Sequence, residues 1–207
     1  MTHTGKPAGK RPFGPASDAA GAVIRARSPD DLAARCGAAP VPGGVSLPYL
    51  GETVTIALPS LELQPQLREM ERVLILRYLA APGGPPRGGE RVSFQQLPGG
   101  SFYLPAYLRR GPARLATAFG SDPERLRAAG RALHGEPAEL GDASFVLSVL
   151  PRVDVAVVLH RGDEEFPPEA SLLFRPDVTS FFSLEDVAVL AGVIASRLER
   201  ADREALT

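Results

Sequence analysis

GDASFVLSVLPRVDVAVVLHRGDEEFPPEASLLF, residues 141–174, holds three apolar runs and one acidic loop. The first two runs meet at Leu150-Pro151-Arg152-Val153, and the third follows Gly162-Asp163-Glu164-Glu165-Phe166-Pro167-Pro168. Phe145, Leu147 and Val149 alternate onto one face of the first run, and Val153, Val155, Val157 and Leu159 do the same in the second. Ala156 and Val158 make the other face of the second run apolar as well. A strand apolar on both faces is central and covered on each side. The two-residue connection Pro151-Arg152 permits only an antiparallel pairing. Three strands explain the apolar residues. They do not explain three adjacent carboxylates beside Phe166, so the acidic loop is the first place to look for function.

The flanking segments read as helices and short strands. Ser17–Cys36 predicts two short helices, the second capped by Ser28, opened by Pro29 and ended by Gly37. After a Pro/Gly connector come two strand candidates, Val45–Pro48 and Thr53–Leu58. Pro65 is expected to open a helix over 65–81. Its stripe of Leu67, Met70, Leu74 and Tyr78, widened by Val73, Ile75, Leu76 and Leu79, implies burial on two sides. Val92–Leu97 and Ser101–Leu104 are two apolar segments around Pro98-Gly99-Gly100, which suggests a turn there. Residues 105–119 are helical with a break at Gly111-Pro112, and Asp122-Pro123 starts another helix that runs to His134-Gly135. Ser183-Leu184-Glu185-Asp186 is a capping-box start for a last helix carrying Val187, Leu190, Ile194 and Leu198. Its charged end, Arg197–Arg203, is expected to fray into solvent.

The fold expected is α+β. An antiparallel sheet of about four to six strands carries the three runs of 144–174, with Thr53–Leu58 and Val45–Pro48 added. Helices 65–81 and 183–201 cover it. Residues 1–16, rich in Gly, Pro and Lys, are read as a disordered tail, and 17–207 as a single α+β domain.

Composition narrows the function classes. A chain of 207 residues with 44% hydrophobic content can bury one sizeable core. A net charge of -1 supplies no global field for nucleic acid or an anionic membrane, so neither is an expected partner. The single cysteine, Cys36, rules out an intrachain disulfide, a four-cysteine zinc site and a cysteine-ligated iron–sulfur cluster. No apolar run approaches the ~20 residues of a membrane span, and no apolar core follows the basic N-terminal residues as in a secretory signal. The expectation is a soluble cytoplasmic protein without a cofactor.

Few residues carry chemistry. His160 ends a strand just before Asp163, Glu164 and Glu165, but neighbouring loop residues rarely converge on one metal, and no metal site is expected. His134 sits at a helix end, where the helix dipole favours it. Pro98-Gly99-Gly100 lacks the following Lys-Ser/Thr of a phosphate loop. No catalytic set emerges. The acidic loop has three readings: a paired-carboxylate acid–base site, a contact for a basic partner, or a structural cap. On the structural reading Phe166 tucks inward, and one carboxylate pairs with Arg109, Arg110 or Arg77, of which Arg109 or Arg110, next to the Phe102–Tyr107 aromatic cluster, is favoured. The residues expected to touch a ligand or partner are Asp163, Glu164, Glu165, Phe166, Arg109, Tyr103 and His160.

LILRYL (74–79), LPGGSFYLPAY (97–107), FGSDPERL (119–126), GDASF (141–145), GDEEFPPEASLLF (162–174) and SLEDVAVL (183–190) together resemble a domain family of unknown function from bacteria and archaea. GDEEFP with its downstream Leu-Phe is the most specific element. Some members of that family carry a cysteine-rich segment like that of corrinoid/iron–sulfur proteins, so the resemblance hints at corrinoid, tetrapyrrole or one-carbon metabolism. That segment is missing here. The family also tends to have an aromatic residue in place of His160 and Asp in place of Arg175. Two functions remain in view: a non-catalytic binding or accessory domain for a small molecule or protein, and a small enzyme using the Asp163–Glu165 carboxylates.

Overall fold

The structure, a computed structural model, describes residues 14–83 and 89–207. In chain order its elements are α1 (Gly14–Arg25), α2 (Pro29–Cys36), β1 (Ala39–Val41), β2 (Gly44–Tyr49), β3 (Glu52–Ala57), β4 (Leu63–Gln64), α3 (Glu69–Ala80), β5 (Val92–Ser93), α4 (Leu104–Arg110), α5 (Pro112–Phe119), α6 (Pro123–Ala132), β6 (Glu136–Pro137), β7 (Ala143–Leu150), β8 (Val153–His160), β9 (Glu169–Phe174) and α7 (Leu184–Ala205). The architecture is α+β, as expected. The expected tail, 1–16, lies outside the described residues as far as residue 13, and α1 begins within it at Gly14.

Two antiparallel sheets form where one was expected. β7, β8 and β9 are the centre of a five-stranded sheet ordered β5-β9-β8-β7-β6. The Pro151-Arg152 hairpin closes with Leu150 opposite Val153, and His160 pairs with Glu169 at the far end of β8 and β9. The strands 45–48 and 53–58 do not join this sheet. They belong to a separate four-stranded sheet, β1-β2-β3-β4, whose β2–β3 hairpin turns at Leu50-Gly51. A backbone bond from Leu50 N–H to Val149 C=O (3.2 Å) ties that turn to the larger sheet. A tight two-residue hairpin satisfies its strands locally, so nothing in the pattern required them to extend the neighbouring sheet.

The helices are layered differently from expectation as well. α5 and α6 lie against the five-stranded sheet, with α7 packed on α4, α5 and α6. α3 packs mainly with α1 and α7, and meets the strands at their ends, where the Tyr49 hydroxyl of β2 donates to Glu71 (3.4 Å) and the Tyr78 hydroxyl accepts from the Arg152 N–H of the β7–β8 turn (3.1 Å). α7 is buried round most of its circumference, through Val187, Leu190, Ala191, Ile194 and Leu198 among others. One apolar core joins both sheets to these helices.

Local chemistry explains the ends. Ser28 accepts from the Asp31 N–H and Gly37 adopts the left-handed conformation (φ 69°), bounding α2 as expected. α3 starts at Glu69, four residues after Pro65. Leu63–Gln64 stay paired to β3, Arg68 is extended, and the Glu71 carboxylate accepts from the Arg68 N–H (3.2 Å). The turn expected at Pro98-Gly99-Gly100 is present, with the Gly100 N–H donating to the Leu97 carbonyl (2.8 Å), but its flanks form little strand. Only Val92–Ser93 pair with β9, because Gln96 Oε1 accepts from both the Ser93 N–H (2.9 Å) and Oγ (3.0 Å) and winds the chain into a 3-10 turn. That turn buries Phe94 face to face with Tyr107, ring centroids 4.3 Å apart. The Tyr107 hydroxyl donates to the Leu172 carbonyl (3.1 Å) and accepts its N–H (3.2 Å), fixing α4 to β9.

Candidate functional site

The acidic loop is a self-contained turn. Asp163 Oδ1 accepts from the N–H groups of Phe166 (2.7 Å) and Glu165 (2.9 Å), and the Asp163 N–H donates to the Phe166 carbonyl (2.9 Å). Those bonds, the one from Phe166 foremost, hold the Asp163 carboxyl below its ordinary range. Phe166 does not tuck inward: it is 68% exposed. Asp163, Glu164 and Glu165 are exposed too, and among the described residues none forms an ion pair with Arg109, Arg110 or Arg77. An Asx-type turn satisfies the carboxylate from its own backbone, which removes the need for a buried arginine. His160 is exposed at the end of β8, while Tyr103 and Arg109 are exposed on α4 and just before it. The sequence candidates are thus spread over separate elements. Among the described residues no three His, Cys, Asp or Glu side chains come close enough to hold a metal ion. Arg175 is taken up by Asp154 (2.9 Å), which also binds Arg91 (2.7 Å).

Charge converges elsewhere, on α7. Its C-terminal half does not fray. Arg197 is 4% exposed, with Nε 2.6 Å from Glu71 Oε1 and a second guanidinium nitrogen 2.7 Å from Glu52. Its guanidinium lies over the Tyr49 ring at 5.5 Å. Burial works against that charge, but the hydrogen bonds it donates to Glu71 and Glu52, with the attraction of their charges, outweigh burial and hold Arg197 protonated. Asp202 receives Arg125 through two bonds (3.0 and 2.5 Å), and Glu199 receives Arg114 through two (3.0 and 2.6 Å). At the other end of the helix, Asp186 caps through Ser183 Oγ (2.7 Å) and pairs with Arg77.

Beside these pairs, α3, α4 and α7 enclose a cavity of about 260 Å³. Val189 and Val193 of α7 and Met70 of α3 form its apolar lining. Met70 had been expected in the core. Instead it is half-exposed at the cavity, while Leu74 and Tyr78 of the same stripe are buried. Five arginines also line the space: Arg68, Arg110, Arg114, Arg197 and Arg200. Three are matched, Arg197 by Glu71 and Glu52, Arg114 by Glu199, and Arg200 by Glu52 and Glu204. Arg68 and Arg110 have no side-chain ion pair or hydrogen bond among the described residues. Glu69 and Ser196 complete the polar lining.

Two close approaches shape this corner. A Cβ on Gly111, at the α4–α5 break, would fall 2.8 Å from the Ala191 Cβ, and one on Gly192 would fall 3.3 Å from the Arg110 Cβ. The glycines let α4 press onto α7, which sets the Arg110 stem at the edge of the cavity. Sequence reasoning did not find this site, because its arginines are scattered over 68–200. The helix break at Gly111-Pro112 is a local sign of it in the sequence.

Cys36 is not part of a reactive centre. It is fully buried, with Sγ 3.4 Å from the Tyr78 carbonyl, and burial pushes its thiol up to about 11. Among the described residues no helix is long and apolar enough to cross a membrane. No curated protein and no solved structure matches the chain. A family model described as Domain of unknown function (DUF3786) matches residues 28–197, the segment that contains both sheets and all but the last turns of α7, and the chain belongs to that family.

Proposed function

We propose that this protein is a non-catalytic binding domain that holds a small organic molecule in the cavity between α3, α4 and α7. The observation that carries the reading is an apolar recess edged by Arg68 and Arg110, two cations without an ion-pair partner among the described residues. Ligand sites combine an apolar lining with a few convergent polar groups in this way. The lining contains no histidine and no cysteine, and its buried carboxylate, Glu71, is committed to Arg197. These features favour holding a molecule over transforming one. A cavity of about 260 Å³ suits a ligand smaller than a corrinoid or tetrapyrrole ring, and a smaller ligand is the one proposed. The same reading keeps the protein in the cytoplasm and apart from nucleic acid, in line with its net charge of -1.

Native mass spectrometry of protein purified from its own host tests the proposal. The parent should retain a bound small mass, and Ser196→Phe, which plugs the cavity from a half-exposed position, should lose it. A parent with no adduct, or an adduct kept by Ser196→Phe, overturns the reading.

A further inference from the structure

We infer that the ligand is a small organic monocarboxylate with a short apolar body, an inference that rests on the binding-domain reading above. Arg68 and Arg110 face the cavity from α3's start and α4's end, and neither guanidinium is spent on a protein carboxylate among the described residues. A guanidinium offers parallel N–H groups that match a carboxylate two at a time. The other three arginines are already neutralised by Glu71, Glu52, Glu199 and Glu204, so the free positive charge of the site is confined to this pair.

Two observations select a single negative charge. Glu69 lines the same cavity and has no ion pair among the described residues, so a dianion meets repulsion that a monoanion meets half as strongly. Val189 and Val193, nearly buried, with Met70 beside them, give nothing to a second charged group and everything to a short hydrocarbon. The volume, about 260 Å³, falls just below the ~300–1,000 Å³ typical of drug-sized ligands, which limits the body to a few carbons.

The test titrates the ¹⁵N-labelled full chain with hexanoate, hexanamide and hexyl phosphate, following the backbone amides of Val189, Gly192 and Val193. Hexanoate should shift these amides and bind at least about tenfold more tightly than hexanamide, the difference expected of one charge-assisted hydrogen bond. Hexyl phosphate, a dianion at neutral pH, should bind no more tightly than hexanoate. Arg110→Gln and Arg68→Gln should each shrink the preference for hexanoate over hexanamide while leaving the melting temperature near that of the parent. If hexanamide binds as well as hexanoate, or hexyl phosphate binds better, the monocarboxylate inference fails while the cavity remains a binding site. If none of the three moves these amides, the cavity reading itself fails.

Discussion

Arg197 and Glu71 meet with 2.6 Å between Nε and Oε1 and almost no solvent on either side chain, joining α7 to α3 across 126 residues of chain. The Tyr49 ring beneath the guanidinium and the Glu52 carboxylate beside it bring the four-stranded sheet into the same junction. A buried pair contributes little beyond its desolvation, yet breaking one is costly because a lone charge stays buried. Arg197→Ala should therefore lower stability by about 3–5 kcal/mol in a urea melt. The double variant Glu71→Leu/Arg197→Met removes both charges and should recover most of that loss. A single variant as stable as the parent would mean that water reaches the junction.

Cys36 gives a prediction about both reactivity and pH. Its thiol is buried beneath α3, and desolvation raises it from 9.0 to about 11 against the pull of Arg27, Arg152 and Arg35. Only the thiolate reacts. Native protein at pH 8 should resist iodoacetamide for as long as it stays folded, and guanidinium should expose one fast-reacting thiol. Because the folded value is raised, the unfolded state loses its proton first. The stability due to the neutral thiol is complete below pH 9 and is lost as pH rises through about 11. Cys36→Ala should flatten the decline of melting temperature between those values. Identical pH profiles would remove the thiol from this role.

Asp163 behaves in the opposite sense. Its carboxyl is held below the ordinary 3.8 by the N–H groups of Phe166 and Glu165. A lowered folded value means that the turn is intact above the ordinary value and loosens as pH falls through the depressed one. A carboxyl ¹³C titration should give Asp163 a midpoint below 3.8, and the amides of Glu165 and Phe166 should exchange faster in Asp163→Ala. Since the three carboxylates are solvent-facing, Asp163→Ala, Glu164→Ala and Glu165→Ala should each leave the melting temperature within about one or two degrees. A large drop in any of them would mean that the loop docks on a surface.

Much of the fold was legible because its signals are local. The Pro151-Arg152 hairpin, the Ser28 and Ser183 caps, and the Gly111 break each depend on residues a few positions apart. The errors arose where distant groups decide. Arg197 to Arg203 looks like a solvated charged end, but Glu71, Glu52 and Arg125 from other elements make it an anchored one. Phe166 between carboxylates and prolines looked like a buried anchor. Asp163 needed only its own backbone, and the ring was left outside. The cavity was hidden for the same reason, since no window of sequence contains Met70, Arg110 and Val193 together.

Gly111 gives the sharpest test of how the cavity corner is built. A Cβ there would sit 2.8 Å from the Ala191 Cβ and 3.2 Å from the Ala191 backbone, so α4 and α7 would have to part. Overpacking of this kind costs about 1–3 kcal/mol, and Gly111→Ala should be destabilised by that amount in a denaturant melt. Ala191→Gly alone should cost about 1 kcal/mol through helix propensity. Combined, the two changes should cost less than their sum, because the methyl–methyl collision disappears while the backbone contact persists. Additive effects would show that α4 yields elsewhere. Parting the helices also displaces the Arg110 stem from Gly192, so Gly111→Ala should move the Val193 amide resonance while Tyr107, anchored on Leu172, keeps its own.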